Sequence, residues 1–357
     1  MPVTREVWRI GRAGSLHRLR RQSELLPDPR PGEARILVKA VGLNFADVFA
    51  CLGLYSATPH GPFVPGLELA GIVDALGPAA GREDEALPSQ GPLRLGEPVV
   101  GLTRFGAYAT AANVDTRLLR PVPAGWTLAE AAAFPVQALT AWYGLVVLGG
   151  LRHGHAVLVH SAAGGVGLNA LEILRAHEAA VVATVGHADK RDLLVQRASL
   201  APAQIIVRDR RHFGAQLDRA LRHLGQDGLD LVFDAIAGPF FRGAYERLRA
   251  EGRHVIYGAA DFMPRGSTPN YVRLAAQYLR RPVLDPIRMI AENRSVMAFN
   301  LIWLWERAER LPAAMDAVGR FVVRPPLVGK RFAFADAPAA LRCLQGGLTV
   351  GKVVLEV

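Results

Sequence analysis

The sequence predicts an α/β protein in which a β-barrel-like domain comes first and a doubly wound parallel sheet follows. Up to about residue 126, short strand-like runs alternate with proline and glycine clusters, which is typical of an all-β domain. From residue 155, strand-like and helix-like segments alternate, which favours a parallel sheet with helices on both faces. The two patterns meet at "TLAE", where Thr127 and Glu130 have the spacing of a capping box that opens an alanine-rich helix. We therefore place a domain boundary at residue 127.

The first domain is predicted from strand-like runs separated by turn residues. The runs are VWRI, EARILVKAVGLN, LELAGIVDAL, EPVVGLT and AYATAANVDTRLLRPVP. The polar stretch at 77–97 has no apolar period and is predicted to be a surface loop. The last segment, 302–357, returns to short strands plus one helix, so we expect it to rejoin the first domain.

The second domain is predicted over residues 127–301. Its strands are HAVLVH, AVVATVG, QIIVRD, LDLVFDA and HVIYG, with helices through LNALEILRAH and DKRDLLVQRA, near 212–224 and near 240–250. The run SVMAFNL is predicted to be a further strand after a helical, arginine-bearing insert at 269–292. As an edge strand, it is a candidate for pairing across a twofold axis.

Composition excludes several classes of protein. No run reaches the roughly 18 apolar residues of a membrane span, and the start, MPVTREVWRIGR, lacks a secretory signal, so we expect a cytoplasmic protein without membrane association. The net charge is +10, but the arginines are scattered, which argues against nucleic-acid binding and leaves an anionic cofactor attractive. Cys51 and Cys343 are too few for a four-thiolate zinc site and are predicted to be free thiols.

The stretch VLVHSAAGGVGLNALEIL, residues 157–174, is predicted to be a strand, a turn of small residues and a helix. Small residues occupy the first, third and sixth positions of a dinucleotide fingerprint, where they allow a tight turn, approach to a pyrophosphate and helix–strand packing. The helix N-terminus then faces the phosphates. We assign cofactor binding to Ala162, Gly164, Gly165, Val166 and Gly167.

The end of the next strand indicates which dinucleotide binds. An acidic residue there recognises the ribose 2′-hydroxyl of NAD, whereas this strand ends TVGHADKR, with His187 and Lys190 and no acid before the turn. The sequence therefore predicts NADP(H), with Lys190 contacting the 2′-phosphate. Arg191 has the alternative of lying in a solvated first helical turn.

This organisation resembles the medium-chain dehydrogenase/reductase superfamily over nearly the whole chain. The motifs that carry the resemblance are GLNFAD (42–47), GLY (53–55), PGLELAGIV (65–73), AAGGVG (162–167) and GKVVL (351–355). The resemblance implies a GroES-like catalytic domain over 1–126, a Rossmann nucleotide-binding domain over 127–301, and a return to the catalytic domain over 302–357.

In zinc-dependent alcohol dehydrogenases of that superfamily, a cysteine stands where this chain has Asn44, and a histidine where it has Leu67. Three ligands drawn from Cys, His and carboxylate are needed for catalytic zinc, so no metal is expected. The chain is therefore similar to the zinc-free quinone oxidoreductase family, and within it to the vesicle amine transport protein branch.

The resemblance implies hydride transfer to a substrate activated by conjugation, with polar groups placed where negative charge develops. It places Asn44 at the nicotinamide end and Tyr55 in the substrate cleft; the alternatives are an asparagine that caps a short helix and a tyrosine that only fills the cleft. Further residues placed against the cofactor are Gln137, Thr140, Gly258 and Asn300. His160 is expected to be structural.

Two functions from different classes follow. The first is an NADPH-dependent, zinc-independent reductase of a quinone or an α,β-unsaturated carbonyl, working as a homodimer. The second is a nucleotide-binding protein without reductase activity, either a membrane-associated or regulatory adaptor or a biosynthetic cyclase. The insert at 269–292 discriminates between them, because packing over the cleft favours a substrate lid and a basic amphipathic surface favours a membrane or a partner.

Overall fold

The computed structural model describes residues 1–78, 93–321 and 324–357, so most of the predicted loop at 77–97 lies outside the described residues. The first domain contains a two-stranded hairpin and a seven-stranded sheet. Its strands are β1 (Val3–Ile10), β2 (Leu19–Leu26), β3 (Glu33–Gly42), β4 (Glu68–Leu76), β5 (Pro98–Leu102), β6 (Ala111–Asp115) and β7 (Leu119–Pro121).

The end of the chain completes the seven-stranded sheet. The strands β14 (Val328–Ala333) and β15 (Lys352–Glu356) join it in the order β14-β15-β3-β4-β5-β7, with β6 pairing with β3. The helices α1 (Phe45–Cys51), α2 (Leu128–Ala132) and α11 (Ala337–Gln345) belong to this half of the molecule. Hydrophobic side chains of β1, β3, β4, α1 and α11 meet in one buried core.

The predicted parallel sheet is present. It consists of β8 (Ala156–Val159), β9 (Ala180–Val185), β10 (Ile205–Val207), β11 (Leu229–Asp234), β12 (Leu248–Ile256) and β13 (Ser295–Ala298). All of its pairings are parallel and the order is β10-β9-β8-β11-β12-β13. This is the order of a dinucleotide-binding sheet, which places the switch point between β8 and β11. The GroES-like and Rossmann fold class predicted from the sequence is confirmed.

Helices cover both faces of this sheet. They are α3 (Pro135–Trp142), which continues as a π-helix over Tyr143–Leu148, and α4 (Gly165–Ala176), α5 (Arg191–Ala198), α6 (Phe213–His223) and α7 (Phe241–Tyr245). Three more helices follow in the chain: α8 (Tyr271–Leu279), α9 (Pro286–Glu292) and α10 (Leu311–Gly319). Successive strand residues point to opposite faces; accordingly Val157 and Val159 pack in one core with α4, and Leu158 packs in the other with α6.

Two local differences from the sequence prediction have a physical reason. The helix predicted near 240–250 ends at Tyr245, because Leu248 already pairs with Leu229 and Glu251 has a left-handed φ of 66°. The helix α2 packs its alanines against the first sheet, although it follows the boundary that we placed at residue 127. Both cysteines are free, as predicted. Within the described residues, no helix is both long and apolar enough to span a membrane.

Candidate active site

A cavity of about 1360 Å³ lies between the two halves of the molecule. One end is formed by the glycine loop and the carboxyl ends of the parallel strands, which is where open α/β sheets bind their ligands. The other end is mainly apolar and is lined by Phe45, Phe49, Leu54, Tyr55, Leu67, Leu301 and Trp305. The glycine-loop end and the apolar end are therefore continuous in one cavity.

The glycine loop has the close packing that the fingerprint requires. The helix α4 begins at Gly165 with Gly164 as its N-cap, so its amino end faces the cavity. A Cβ on Gly167 would lie 2.5 Å from Ala162 Cα, and a Cβ on Gly165 would lie 1.8 Å from Gln137 Oε1. Val166 also lines the cavity. The backbone N–H groups of the first turn of α4 are thus presented to an anion.

The four further residues that the resemblance places against the cofactor all line the same cavity. Gln137 and Thr140, on α3, are buried on its wall, and the Thr140 hydroxyl donates to Val136 O at 2.6 Å. Gly258 follows β12 and Asn300 follows β13, and both line the cavity. A Cβ on Gly258 would lie 2.7 Å from Ala235 O, which explains why a glycine is found there.

The residues predicted to lie near the 2′-phosphate of NADP(H) are found at the glycine-loop end of the cavity. Lys190 is buried on the cavity wall, and its ammonium donates to Gly347 O at 2.8 Å and Thr349 O at 2.9 Å. Burial lowers the pKa of Lys190. His187 is exposed on the same wall. Arg191 does not line the cavity and donates to Pro202 O at 3.1 Å, which agrees with the alternative of a surface residue.

Arg208 is a candidate cofactor residue that the sequence analysis missed. It follows β10 at the carboxyl edge of the sheet, lines the cavity, and donates from Nη1 to Thr184 Oγ1 at 2.9 Å. Burial lowers the pKa of the guanidinium to about 10, so it remains charged at neutral pH. The available signal was its place directly after the run "QIIV", at the edge where ligands bind.

The cavity wall carries an excess of positive charge. Its cations are Lys190, Arg208, Arg210, Arg265, Arg273, Arg342 and Lys352. Among the residues that the structure describes, Asp261 is the only carboxylate on this wall, and it contacts Arg210 at 3.3 Å. Such a wall attracts an anionic ligand and concentrates it near the site.

Asn44 lies at the junction of β3 and α1 and is almost fully buried. Its Oδ1 accepts from Lys352 Nζ at 2.8 Å, and its Nδ2 donates to Glu68 Oε1 at 2.9 Å and to Gly42 O at 3.3 Å. Both amide protons are therefore engaged, and Asn44 offers the cavity only acceptor capacity on Oδ1.

The Asp47 carboxylate holds the backbone of Asn44 in place. Its Oδ2 accepts from the Asn44 backbone N–H at 2.8 Å and from the Tyr108 hydroxyl at 3.3 Å. Burial, reinforced by the nearby Glu68 carboxylate, raises the pKa of Asp47 to about 7.

The Tyr55 side chain connects the two halves of the molecule through a hydrogen bond. Its hydroxyl donates to Asn300 Oδ1 at 2.7 Å, so a residue from the first domain meets one that follows β13. Burial raises the pKa of Tyr55 well above its usual range. The phenol is therefore neutral at physiological pH and acts as a hydrogen-bond donor rather than a base.

The residues at the zinc-ligand positions do not fit a zinc ion. Asn44 and Leu67 replace the expected thiolate and imidazole, and the remaining carboxylate, Glu68, contacts Lys352 Nζ at 2.5 Å. Across 1–78, 93–321 and 324–357, no three His, Cys, Asp or Glu residues are grouped to hold a metal ion.

His160 is fully buried behind the glycine loop, where its Nδ1 lies 3.0 Å from Thr184 Oγ1. Burial lowers its pKa to about 4, so the ring is neutral.

The insert contributes to the cavity wall through α8. Arg273 and Gln277 line the cavity, and Gln277 Nε2 donates to Asp261 O at 2.6 Å. No residue of α8 or α9 is buried, and both helices expose large apolar side chains. These are Tyr271, Val272, Tyr278, Leu279, Ile287 and Ile290.

Known proteins resemble the chain over both domains. Residues 30–124 match the family described as alcohol dehydrogenase GroES-like domain, and residues 202–355 match that described as zinc-binding dehydrogenase. The rat (Rattus norvegicus) synaptic vesicle membrane protein VAT-1 homolog is 31% identical over 332 residues, which is 92% of this chain and 78% of the relative. This chain belongs to the VAT-1 branch of the zinc-free quinone oxidoreductase-like family. The chain spans 65% of the length of the zebrafish (Danio rerio) VAT-1 homolog, which is 30% identical over 92% of this chain.

Solved structures of family members extend the likeness to the whole chain. The quinone oxidoreductase from Thermus thermophilus, solved also as its NADPH complex, is 29% identical with a TM-score of 0.72. A mycobacterial protein complexed with NADPH is 28% identical with a TM-score of 0.78. Each comparison covers 99% of this chain and 100% of the other. The family assignment therefore rests on both sequence and fold.

Proposed function

We propose that this chain is an NADPH-dependent, zinc-independent reductase that transfers hydride to a quinone or an α,β-unsaturated carbonyl compound. The observation that carries the proposal is one continuous cavity, with a cationic, glycine-loop end and an apolar end containing Tyr55. The NADPH complexes of two family members support the choice of cofactor. The unsuitable donor set at Asn44, Leu67 and Glu68 supports chemistry without a metal.

Different residues of the cavity wall bind different parts of NADP(H). The first turn of α4 holds the pyrophosphate, and Lys190 and Arg208 contact the 2′-phosphate. Gln137, Thr140, Gly258 and Asn300 surround the nicotinamide end. Asn44 orients the cofactor through its Oδ1 acceptor rather than by donating to the substrate, since both of its amide protons are engaged.

When bound, the dihydronicotinamide supplies the hydride. The apolar wall excludes water and receives a flat, conjugated substrate. Tyr55 donates a hydrogen bond to the substrate oxygen, where negative charge develops, and the substrate then replaces Asn300 as the acceptor of that proton. The raised pKa keeps this proton on the phenol over the physiological range, so the anion formed by hydride addition takes its proton from solvent as the product leaves.

The test is a screen of quinones and enones for oxidation of NADPH, followed by transfer of label from NADPH deuterated at C4. We expect deuterium on carbon in enone products. Tyr55→Phe should lower kcat about 10- to 100-fold while leaving NADPH affinity unchanged, because the lost donor acts on the substrate oxygen. Leu25→Ala, an exposed change on β2, is the control. NADPH binding without oxidation by any conjugated acceptor would reject the reductase.

The second candidate is a nucleotide-binding adaptor without reductase activity, or a cyclase that makes no net use of hydride. The exposed apolar side chains of α8 and α9 favour an adaptor that contacts a partner or a membrane surface. Binding of the chain to anionic vesicles, with NADPH bound but not oxidised, supports this candidate. A protein that oxidises NADPH with an enone and ignores vesicles supports the first.

We also propose that the chain is a homodimer. The strand β13 pairs with β12 on one side and lies at the edge of the six-stranded sheet. The helix α9, which precedes β13, exposes Ile287 and Ile290. A second copy that extends the sheet across a twofold axis would cover both features.

A further inference from the structure

Lys352 is a fully buried lysine that the proposed function has not used. It opens β15, is 1% exposed, and donates to Glu68 Oε1 at 2.5 Å and to Asn44 Oδ1 at 2.8 Å. Glu68 belongs to β4 and is also fully buried. A Cβ on Gly42 would lie 2.7 Å from Glu68 Oε1, so the glycine there makes room for the carboxylate. Three chain segments thus converge on one ion pair at the cavity wall.

The ion pair determines which way the Asn44 amide points. The ammonium lies beside Oδ1 and the carboxylate beside Nδ2. A flipped amide would place its NH₂ group against the ammonium and its oxygen against the carboxylate, and both contacts would be repulsive. The pair therefore fixes Oδ1 as the atom that has spare acceptor capacity.

Glu68 has a second contact that reaches the helix behind the nicotinamide end. Its Oε2 accepts from Val136 N at 2.8 Å, in the first turn of α3. A carboxylate at this end satisfies an otherwise unpaired N–H and is favoured by the helix dipole. The helix α3 carries Gln137 and Thr140, which line the cavity. One carboxylate therefore connects Asn44 with α3.

We propose that Lys352 and Glu68 are positioning residues that set the geometry of hydride transfer by fixing the Asn44 amide and the amino end of α3. The proposal rests on the reductase function proposed above. The ammonium lies between Asn44 and Glu68 and donates a hydrogen bond to each. It acts on the reaction through these two side chains.

The test compares Lys352→Met, Glu68→Gln and the double variant with the unmodified chain. Misplacement by about 1 Å can cost on the order of 100-fold in rate, so Lys352→Met should lower kcat about 10- to 100-fold. The dissociation constant of NADPH should change by less than about threefold, because the phosphate contacts at Lys190 and Arg208 are untouched. The deuterium isotope effect with C4-labelled NADPH should rise as hydride transfer becomes limiting.

Four further comparisons separate positioning from folding. Lys330→Met removes an exposed lysine from β14 and should change nothing. Lys352→Arg keeps the charge and should retain more activity than Lys352→Met. The double variant removes both charges and should unfold at a higher temperature than either single variant, because no unpaired buried charge remains. Lys352→Ala should regain activity when ethylammonium is added.

The outcomes also distinguish this proposal from the reductase itself. Wild-type activity in Lys352→Met, or a loss confined to NADPH affinity, overturns the positioning role. If the unmodified chain reduces no acceptor, the proposed reductase function is rejected. The positioning role is then tested by the fluorescence of bound NADPH. Emission altered in Lys352→Met at unchanged affinity then supports positioning, and unaltered emission overturns it.

Discussion

At the scale of single residues, the cavity is controlled by buried polar groups whose partners lie far apart in the chain. Lys352 and Asn44 are separated by 308 positions, and Lys352 and Glu68 by 284. Burying the charged groups of Lys352 and Glu68 without these partners would be strongly unfavourable. This part of the cavity wall is therefore formed only when the end of the chain has joined the first sheet.

Arg208 tests the cofactor preference. Arg208→Ala should weaken NADPH binding about 10- to 100-fold and leave NADH binding unchanged, because a charge-assisted contact to the 2′-phosphate contributes roughly 1.5–3 kcal/mol. Thr184→Val should give an intermediate preference, since it removes the acceptor that holds Nη1 but keeps the guanidinium. Fluorescence titration measures both affinities.

Arg191→Ala is the control for this series, because Arg191 lies outside the cavity wall. Equal loss of NADPH and NADH affinity in Arg208→Ala would show that Arg208 supports the fold of the site and does not read the 2′-phosphate.

The raised pKa of Asp47 predicts that the stability of the folded chain depends on pH. Burial raises its pKa in the folded chain from 3.8 to about 7, so the folded state binds this proton more tightly than the unfolded state does. The resulting stabilisation is complete below pH 3.8 and is lost as the pH rises to about 7. Asp47→Asn, which cannot ionise, should flatten the fall of melting temperature with pH in this window. A variant with the same slope as the unmodified chain would contradict the assignment.

At the scale of elements, packing of the glycine loop onto its strand shapes one end of the cavity. Periodicity and the fingerprint predicted β8, the turn and α4, because local patterns specify all three. The bond from Gly351 N to Ala163 O at 2.9 Å was not predictable, since it joins the loop to the last segment of the chain. For the same reason, the Lys352–Glu68 pair escaped the sequence analysis, because its role depends on tertiary contacts without a local pattern. Arg208 had a local signal in its position after β10, but its contact with Thr184 depends on the fold.

Gly167→Ala tests this packing. Its added methyl carbon would meet the Ala162 backbone at 2.5 Å, so the helix must move away from the strand. We expect a loss of about 1–3 kcal/mol in the free energy of unfolding, together with weaker NADPH binding. Gly319→Ala is the matched control, because nothing lies within 4 Å of its added carbon. Denaturant unfolding and a binding titration measure the two effects, and equal behaviour of both variants would refute the packing argument.

At the scale of the whole molecule, both the cofactor cavity and the proposed dimer depend on the carboxyl half of the parallel sheet. Gly258 follows β12 and Asn300 follows β13 on the cavity wall, while the outer edge of β13 faces away from β12. The sequence predicted β13 as an edge strand, and the structure places it at the edge of the sheet. The same element is therefore followed by a residue of the cavity wall and presents an edge that we propose pairs with a second copy.

The dimer proposal predicts a mass of about twice 38.5 kDa by light scattering at low micromolar concentration. Ile287→Glu combined with Ile290→Glu should give a folded monomer, because both side chains are about three-quarters exposed in the single chain. Leu25→Glu, an equally exposed change on β2, should leave the dimer intact. Asn300 follows β13 and accepts a hydrogen bond from the Tyr55 hydroxyl. If pairing of β13 stabilises that end of the cavity, the monomeric variant should also show a lower kcat. A monomeric unmodified chain, or a dimer unaffected by the paired charges on α9, would reject this interface.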